Sequence, residues 1–167
     1  MSRRILIAPD KFKGSLSAPQ AAEAIAEGIR RLDPLAELDF CPIADGGEGF
    51  MEAVSTALEG QWVRCAAVDA RGRGIESRYF VAATDEGPVA VIEMSETAGL
   101  WRLSKHERLP LSASTRGVGM QMRHAVDEHS VVRIILGLGG SATNDAGCGM
   151  ASEIGVGFLD GNGQLLD

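Results

Sequence analysis

The chain has 167 residues, of which 45% are hydrophobic and 23% are charged. These values are typical of a soluble globular protein with one domain or two small ones, and they exclude a disordered or collagen-like chain. Acidic residues outnumber basic ones by 23 to 16, which gives a net charge of −7. Nucleic acid and anionic membranes are therefore not expected as partners.

The cysteines and the N-terminal segment predict a cytoplasmic protein. Cys41, Cys65 and Cys148 lie far apart and form no Cys-x-x-Cys pair, which favours buried thiols in a reducing compartment over disulfides or a zinc site. The apolar run at residues 5–8 ends at Pro9 and is too short for a signal peptide. No run approaches the roughly 18 apolar residues of a membrane span.

The first part of the chain predicts two strand–loop–helix units. Residues 5–8 are uniformly apolar, as in a strand that is buried on both faces. Ser17 and Gln20 have capping-box spacing and open a predicted amphipathic helix over 18–32. A second strand is predicted over 37–43, and another helical pattern follows it after a glycine-rich loop. This order indicates the start of a parallel, doubly wound α/β sheet.

The pattern changes after that point. Three strand-like runs follow one another without a helix between them, at residues 61–68, 77–83 and 89–94. Turn-forming residues separate these runs, so we predict an antiparallel meander. We place a domain boundary near residue 70, which divides the chain into residues 1–69 and 70–167.

The last third of the chain returns to helix and strand. A helix is predicted over 116–128, a buried strand over 131–136, and a short helix that ends near Gly155. Asp160 to Gly163 form a predicted hairpin turn. Because the chain stops one residue after the last strand-like run, we expect both domains to be incomplete.

The loop at residues 10–15 is the first candidate for chemistry. The chain has only three lysines, and Lys11 and Lys13 both lie in this loop, beside Gly14 and Ser15. Ammonium groups and a hydroxyl after a parallel strand suit an anionic ligand. The alternative is a solvated turn whose lysines only face water.

The second candidate is Asp45-Gly46-Gly47-Glu48, which follows the second predicted strand. Asp45 and Glu48 have capping-box spacing, so a helix cap is one interpretation. A cap does not require two adjacent glycines, which instead suggest a positive φ or a backbone close to a ligand. A carboxylate there suits Mg²⁺ binding or contact with a substrate hydroxyl.

The third candidate is the glycine-rich segment 137–147, between a predicted strand and a helix. This context is typical of loops that bind phosphate through backbone N–H groups. Gly137, Gly139 and Ala142 match G-x-G-x-x-A, a weak dinucleotide fingerprint, with Asp160 at a suitable distance. The hydroxyls, amide and carboxylate over 141–145 suit a hydroxy-acid or a phosphate–metal site better. A simple helix cap by Asn144 or Asp145 stays open.

Weaker candidates lie near two other predicted elements. Glu93, Glu96 and Thr97 follow the third strand of the meander, and Arg116 opens the 116–128 helix. An arginine there can bind a carboxylate or phosphate, although a surface position is the alternative.

Five segments resemble motifs of the type I glycerate kinase family, the bacterial glycerate 2-kinases. They occur in the family's order at residues 7–18, 42–49, 92–100, 114–119 and 137–147. One departure is Ala146-Gly147-Cys148-Gly149, where the family more often has Gly-Gly-Ala-Gly. The other is length, because family members are roughly twice as long and carry two later motifs that are absent here.

The resemblance implies a fold of two α/β domains. The first is of Rossmann or flavodoxin-like type, and the second is inserted into it, so that C-terminal sequence completes the first. This agrees with a boundary near residue 70. The resemblance also implies ATP- and Mg²⁺-dependent phosphorylation of D-glycerate, with 2-phosphoglycerate as the expected product.

The expected catalytic residues are Lys11 and Asp45. Lys11 and Lys13 would neutralise the substrate carboxylate or the transferred phosphoryl group, and Asp45 would bind Mg²⁺ or orient the hydroxyl. The other residues expected to bind substrate or phosphate lie in the three loops and at the start of the 116–128 helix: Lys13, Ser15, Gly46, Gly47, Glu48, Arg116, Gly139, Gly140, Ser141, Thr143, Asn144 and Asp145. No metal ligand is assigned, and a homo-oligomer is left open.

Two other functions are alternatives to phosphorylation of D-glycerate. The G-x-G-x-x-A match favours an NAD(P)-binding oxidoreductase domain, and the end of the chain at Asp167 favours an inactive fragment of a kinase. The sequence does not divide the loops between ATP and glycerate, and it does not identify the general base.

Overall fold

The computed structural model describes residues 3–166 and contains two sheets. A parallel pair consists of β1 (Arg4–Ile7) and β2 (Glu37–Phe40). A four-stranded sheet consists, in chain order, of β3 (Gly60–Val68), β4 (Gly74–Ala82), β5 (Val89–Glu93) and β6 (Arg133–Gly137). The helices are α1 (Ala18–Leu32), α2 (Phe50–Ser55), α3 (Met94–Ala98), α4 (Arg116–His129) and α5 (Cys148–Glu153). The predicted class, a parallel α/β start followed by a mixed α/β part, is confirmed.

Helix α1 connects the two parallel strands and has the predicted limits. The Ser17 hydroxyl accepts the backbone N–H of Gln20, and the Gln20 side chain accepts the backbone N–H of Ser17, so the predicted capping box is present. The helix buries Ala22 and Ala26 against Ile7 of β1. Small alanines let the helix lie close to the strand, which fixes the loop between them.

The four-stranded sheet carries the main core. Strands β3, β4 and β5 form the predicted antiparallel meander, and β6 adds to β5 in parallel. Helix α4 covers this sheet with Val118 and Ala125, both fully buried. Burial of this apolar surface is the main driving force for the second part of the fold.

The change from one sheet to the other comes earlier in the chain than residue 69. Strand β3 pairs with β4 along its whole length, from Gly60 opposite Ala82 to Val68 opposite Gly74. Residues 60–68 therefore belong to the second sheet. Helix α2 ends at Ser55, before the end of the apolar pattern that predicted it. The predicted hairpin at Asp160 has a single bridge, between Leu159 and Leu165.

The two sheets present the loops that carry the site. Parallel strands place their carboxyl ends at a common edge, and the loops after β1, β2 and β6 leave from such ends. Helix α3 follows β5 without any loop, since Glu93 ends the strand and Met94 begins the helix. Among residues 3–166, no helix is long and apolar enough to cross a membrane.

Candidate active site

The three predicted loops meet at one cleft of about 620 Å³. Its walls come from residues 10–19 after β1, from residues 43–45, 47–49 and 52 after β2, and from Gly140 in the loop after β6. The predicted site residues that line it are Lys11, Lys13, Ser15, Asp45, Gly47, Glu48 and Gly140. The cleft is therefore built at the carboxyl ends of strands, the usual ligand position in an open α/β sheet.

The loop after β1 is a tight turn that directs its lysines differently. Phe12 and Leu16 form a bridge, and Gly14 between them has a φ of 74°, in the left-handed region. Lys13 and Ser15 are exposed on this turn. Lys11 instead points to the next loop, with its Nζ 3.0 Å from Asp45 Oδ1.

The Lys11–Asp45 pair is ionised on both sides. Burial alone would lower the pKa of Lys11, but the hydrogen bond to Asp45 and the charges of Asp10, Asp45 and Glu93 raise it overall. The pKa of Asp45 lies below its usual range because the Gly47 N–H and then the Lys11 ammonium stabilise the carboxylate. The pair offers one fixed positive and one fixed negative group at the cleft.

Asp45 does not cap helix α2, so the capping-box interpretation is wrong. Its Oδ1 accepts the N–H of Gly47 at 2.9 Å, which closes a turn within the loop. The helix begins five residues later, at Phe50, with Gly49 at the N-cap position and a φ of 92°. The cap acceptor comes from elsewhere, because the Gly49 N–H donates to Glu93 Oε2 at 3.0 Å.

The glycines of the loop after β6 are used for contact with the loop after β2. Gly139 donates its N–H to the Gly46 carbonyl at 2.9 Å. A Cβ atom on Gly137 would lie 2.6 Å from the Gly46 carbonyl oxygen. This close approach between two backbones accounts for the G-x-G spacing without a bound dinucleotide.

The polar residues further along this loop lie outside the cleft lining. Ser141 and Thr143 pair their hydroxyls at 2.6 Å, and Ala142 donates its N–H to the Ala98 carbonyl. Within residues 3–166, the Asn144 side chain is exposed and has no hydrogen bond to another group. The structure thus ties residues 140–142 to the end of α3 and leaves Asn144 to solvent.

Asp145 joins the starts of two helices. Its Oδ2 accepts the N–H and the hydroxyl of Thr115, both at 2.8 Å, and the N–H of Gly149 at 3.2 Å. Burial alone would raise the pKa of Asp145, but these hydrogen bonds and that of Gly147 lower it overall. Its carboxylate is therefore occupied by internal donors.

Arg116 is exposed at the start of α4 and also pairs internally. Its Nε donates to Glu153 Oε2 at 2.9 Å, and Arg123 lies 2.7 Å from the other oxygen of Glu153. The structure places this arginine beside α5 rather than in the lining of the cleft.

A neighbouring cleft of about 350 Å³ contains two of the weaker candidates, Glu93 and Glu96, together with residues that the sequence did not place in the site. It shares Glu48, Gly49 and Glu52 with the first cleft, and its other walls are Met51, Arg78, Glu93, Glu96 and Trp101. Glu93 and Glu96 carry pKa values raised mainly by burial. From sequence, Glu93 and Glu96 were candidates because they lie at the end of the third strand-like run.

The fold and this cleft at strand ends define an α/β protein with a small-molecule site, and comparison with known proteins identifies the family. The model of the glycerate kinase family matches residues 5–167. The chain is 44% identical to a glycerate kinase of Halalkalibacterium halodurans over 97% of its length, and 38% identical to a glycerate 2-kinase of Escherichia coli over 98%. A crystal structure from Salmonella typhimurium LT2, described as a glycerate kinase 2, superposes with a TM-score of 0.82 at 38% identity over 99% of this chain.

The chain belongs to the glycerate kinase family. It spans 42% of the length of the Halalkalibacterium and Escherichia relatives and 43% of the Salmonella chain. The resemblance noted from the five sequence motifs is confirmed.

Proposed function

We propose that this chain takes part in ATP-dependent phosphorylation of D-glycerate, with 2-phosphoglycerate as the product. The observation that carries this proposal is the single cleft that receives loops from three strand ends and is lined by Lys11, Lys13 and Asp45. A cleft lined by two lysines suits two anionic substrates, a small hydroxy acid and a triphosphate. Family membership supplies the substrate class.

Lysine charge and backbone donors neutralise the substrates in this proposal. Lys13 and Ser15 stand exposed at the rim and bind the carboxylate or phosphate oxygens. Lys11 is held by Asp45 further in, where its ammonium faces the charge on the transferred phosphoryl group. Gly47 and Gly140 bring their backbones to the cleft without a side chain in the way.

Asp45 orients the hydroxyl that attacks. The hydroxyl oxygen forms a bond to the γ-phosphorus as the bond from phosphorus to the ADP oxygen breaks, and the hydroxyl proton passes to a phosphate oxygen or to water. Asp45 is ionised because its pKa is lowered by Gly47 and Lys11, so it accepts a hydrogen bond from the hydroxyl. The loose transition state of phosphoryl transfer requires orientation more than a strong base.

The acidic residues of the cleft fit a magnesium ion that is shared with the nucleotide. Within the described part of the chain, no group of three or more metal-binding side chains comes together. Mg²⁺ bound with substrate phosphates needs only one or two protein carboxylates, and Asp45 and Glu48 line the cleft. When bound, the ion supplies positive charge to the phosphate oxygens.

Asp145 and Arg116 take a supporting role in this proposal. Both are held by internal partners, Asp145 by Thr115 and Arg116 by Glu153. We propose that they order the segment 137–149, whose Gly140 lines the cleft. We further propose that the two sheets represent two domains, which divide before Gly60. The reaction takes place in the cytoplasm in this proposal, a reducing compartment that agrees with three free cysteines.

A coupled ADP-release assay tests the proposal. We expect ADP release from ATP that depends on D-glycerate, measured for this chain and for any longer product of the same gene. Phosphorus NMR of the product distinguishes 2-phosphoglycerate from its 3-isomer. Absence of turnover from every form would refute the kinase function. Tight binding of NADH in a fluorescence titration would instead support the oxidoreductase alternative.

A further inference from the structure

We propose that Glu93 is a positioning residue of this site, whose buried carboxylate holds the segment 45–51 in the shape that presents Asp45 and Gly47 to the cleft. The proposal builds on the proposed function, but its structural part is testable without turnover. Glu93 ends β5 and is 3% exposed, whereas Asp45 and Glu48 are exposed residues of the cleft.

The first oxygen of the carboxylate binds the loop after β2. Glu93 Oε2 accepts the N–H of Gly49 at 3.0 Å and that of Met51 at 3.4 Å. Both donors belong to the first turn of α2, where Gly49 has no side chain to act as a cap. An acidic residue 44 positions further along the chain therefore replaces the local cap.

The second oxygen connects this loop to the one after β6. Glu93 Oε1 accepts the hydroxyl of Ser95, which is fully buried. Ser95 packs beside Gly140, since a Cβ atom on that glycine would lie 3.1 Å from the Ser95 Cβ. Glu93 and Ser95 thus contact two of the three loops that form the cleft.

These contacts make Glu93 a positioning residue rather than a proton acceptor. Each of its oxygens already accepts a hydrogen bond from the protein, and the acceptor atoms face loop amides and a serine hydroxyl. The charged groups around it are Glu48, Glu52, Arg78 and Glu96 in the neighbouring cleft and Lys11 across the loop. Burial raises the pKa of Glu93, opposed by hydrogen bonds from Ser95, Met51 and Gly49.

The structural test is an NMR pH titration of the 167-residue chain. We expect the amide protons of Gly49 and Met51 to shift together with one midpoint above the ordinary glutamate pKa of about 4.3. Glu93→Gln removes that midpoint, while Glu59→Gln, which changes an exposed glutamate, leaves it in place. A midpoint that persists in Glu93→Gln, or the absence of a shared midpoint at Gly49 and Met51 in the unaltered chain, would overturn the proposal.

The kinetic test uses whichever form turns over D-glycerate. We expect Glu93→Ala to lower kcat about 10²-fold, because displacement of a positioning loop by about 1 Å costs that much. Glu93→Gln restores most of the rate, since its amide oxygen still accepts the Gly49 N–H. If Glu93→Ala does not fold, Glu93→Asp, whose side chain is one methylene shorter, is measured in its place.

The two tests separate the two proposals. Unchanged kcat and KM in a folded Glu93→Ala protein would overturn the positioning role. Absence of turnover in the unaltered protein would refute the proposed function, and the amide titration would still decide whether Glu93 holds the loop.

Discussion

Gly139 donates its backbone N–H to the carbonyl of Gly46 over 2.9 Å, and this bond joins the loops that follow β6 and β2. The two strands belong to different sheets, so the contact also joins the two halves of the fold. A Cβ atom on Gly139 would lie 2.5 Å from the Gly47 Cα. Glycine is therefore required here by the neighbouring backbone, before any ligand is considered.

Gly139→Ala tests this contact. Backbone atoms cannot move aside as a flexible side chain can, so we expect a loss of about 1–3 kcal/mol in the free energy of unfolding. Affinity for ATP or D-glycerate should fall as the two loops separate. The control is Gly161→Ala, where an added Cβ meets nothing within 4 Å. Equal stability of the two variants in urea unfolding would show that the loops are not in contact.

Lys11→Met tests the charge at the centre of the cleft. Removal of one charged donor from a phosphoryl-transfer site is expected to lower kcat by about 10²–10³-fold. Stability should change little, because the Asp45 side chain is 68% exposed and exposed ion pairs contribute little. Activity is read in the coupled ADP-release assay and stability from the Tm.

The matched control is Arg4→Met, which removes the cation of another exposed pair, Arg4 with Asp39, beside the same strand. It should leave kcat unchanged. If both substitutions lower kcat to the same degree, the loss in Lys11→Met comes from the change in net charge and not from the position of Lys11 in the cleft.

Asp145→Asn tests the junction between α4 and α5. The variant loses the charge that accepts three backbone N–H groups and the Thr115 hydroxyl, so we expect destabilisation of about 1–3 kcal/mol at neutral pH. Because the folded pKa is lowered, this stabilisation is present above the ordinary aspartate pKa of about 3.9 and is lost as the pH falls through the folded pKa.

The difference in stability between the unaltered chain and Asp145→Asn should therefore narrow in acid. Urea unfolding between pH 7 and pH 3 measures it, with the exposed Asp85→Asn as control. A difference that stays constant down to the lowest pH would mean that the carboxylate is not held as the structure shows.

Local patterns in the sequence predicted most of the elements. The Ser17–Gln20 box and the alanine spacing predicted α1 at its observed limits, because both are interactions within one helix. The meander β3–β4–β5 was also predicted, since turn residues separate three strand-like runs. The run 61–68 was predicted as the first strand of that meander, and its pairing with β4 places the change of sheet before the predicted boundary near residue 70.

The site was predicted less completely than the fold. Lys11, Asp45 and Gly47 reach one cleft, as expected of loops after parallel strands. The direction of the Asp145 carboxylate could not be predicted, because Thr115 comes to it from 30 positions away. Glu93 was underrated for the same reason, since its donors Gly49 and Met51 are brought to it only by the fold.

The most direct measurement is a map of amide chemical shifts during titration of the isotopically labelled chain with ATP and, separately, with D-glycerate. We expect the amides of Lys13, Ser15, Gly47 and Gly140 to shift with both ligands, and those of 156–166 not to shift. Shifts confined to residues outside the cleft, or the absence of any shift at millimolar ligand, would contradict the claim that these three loops hold the two substrates together.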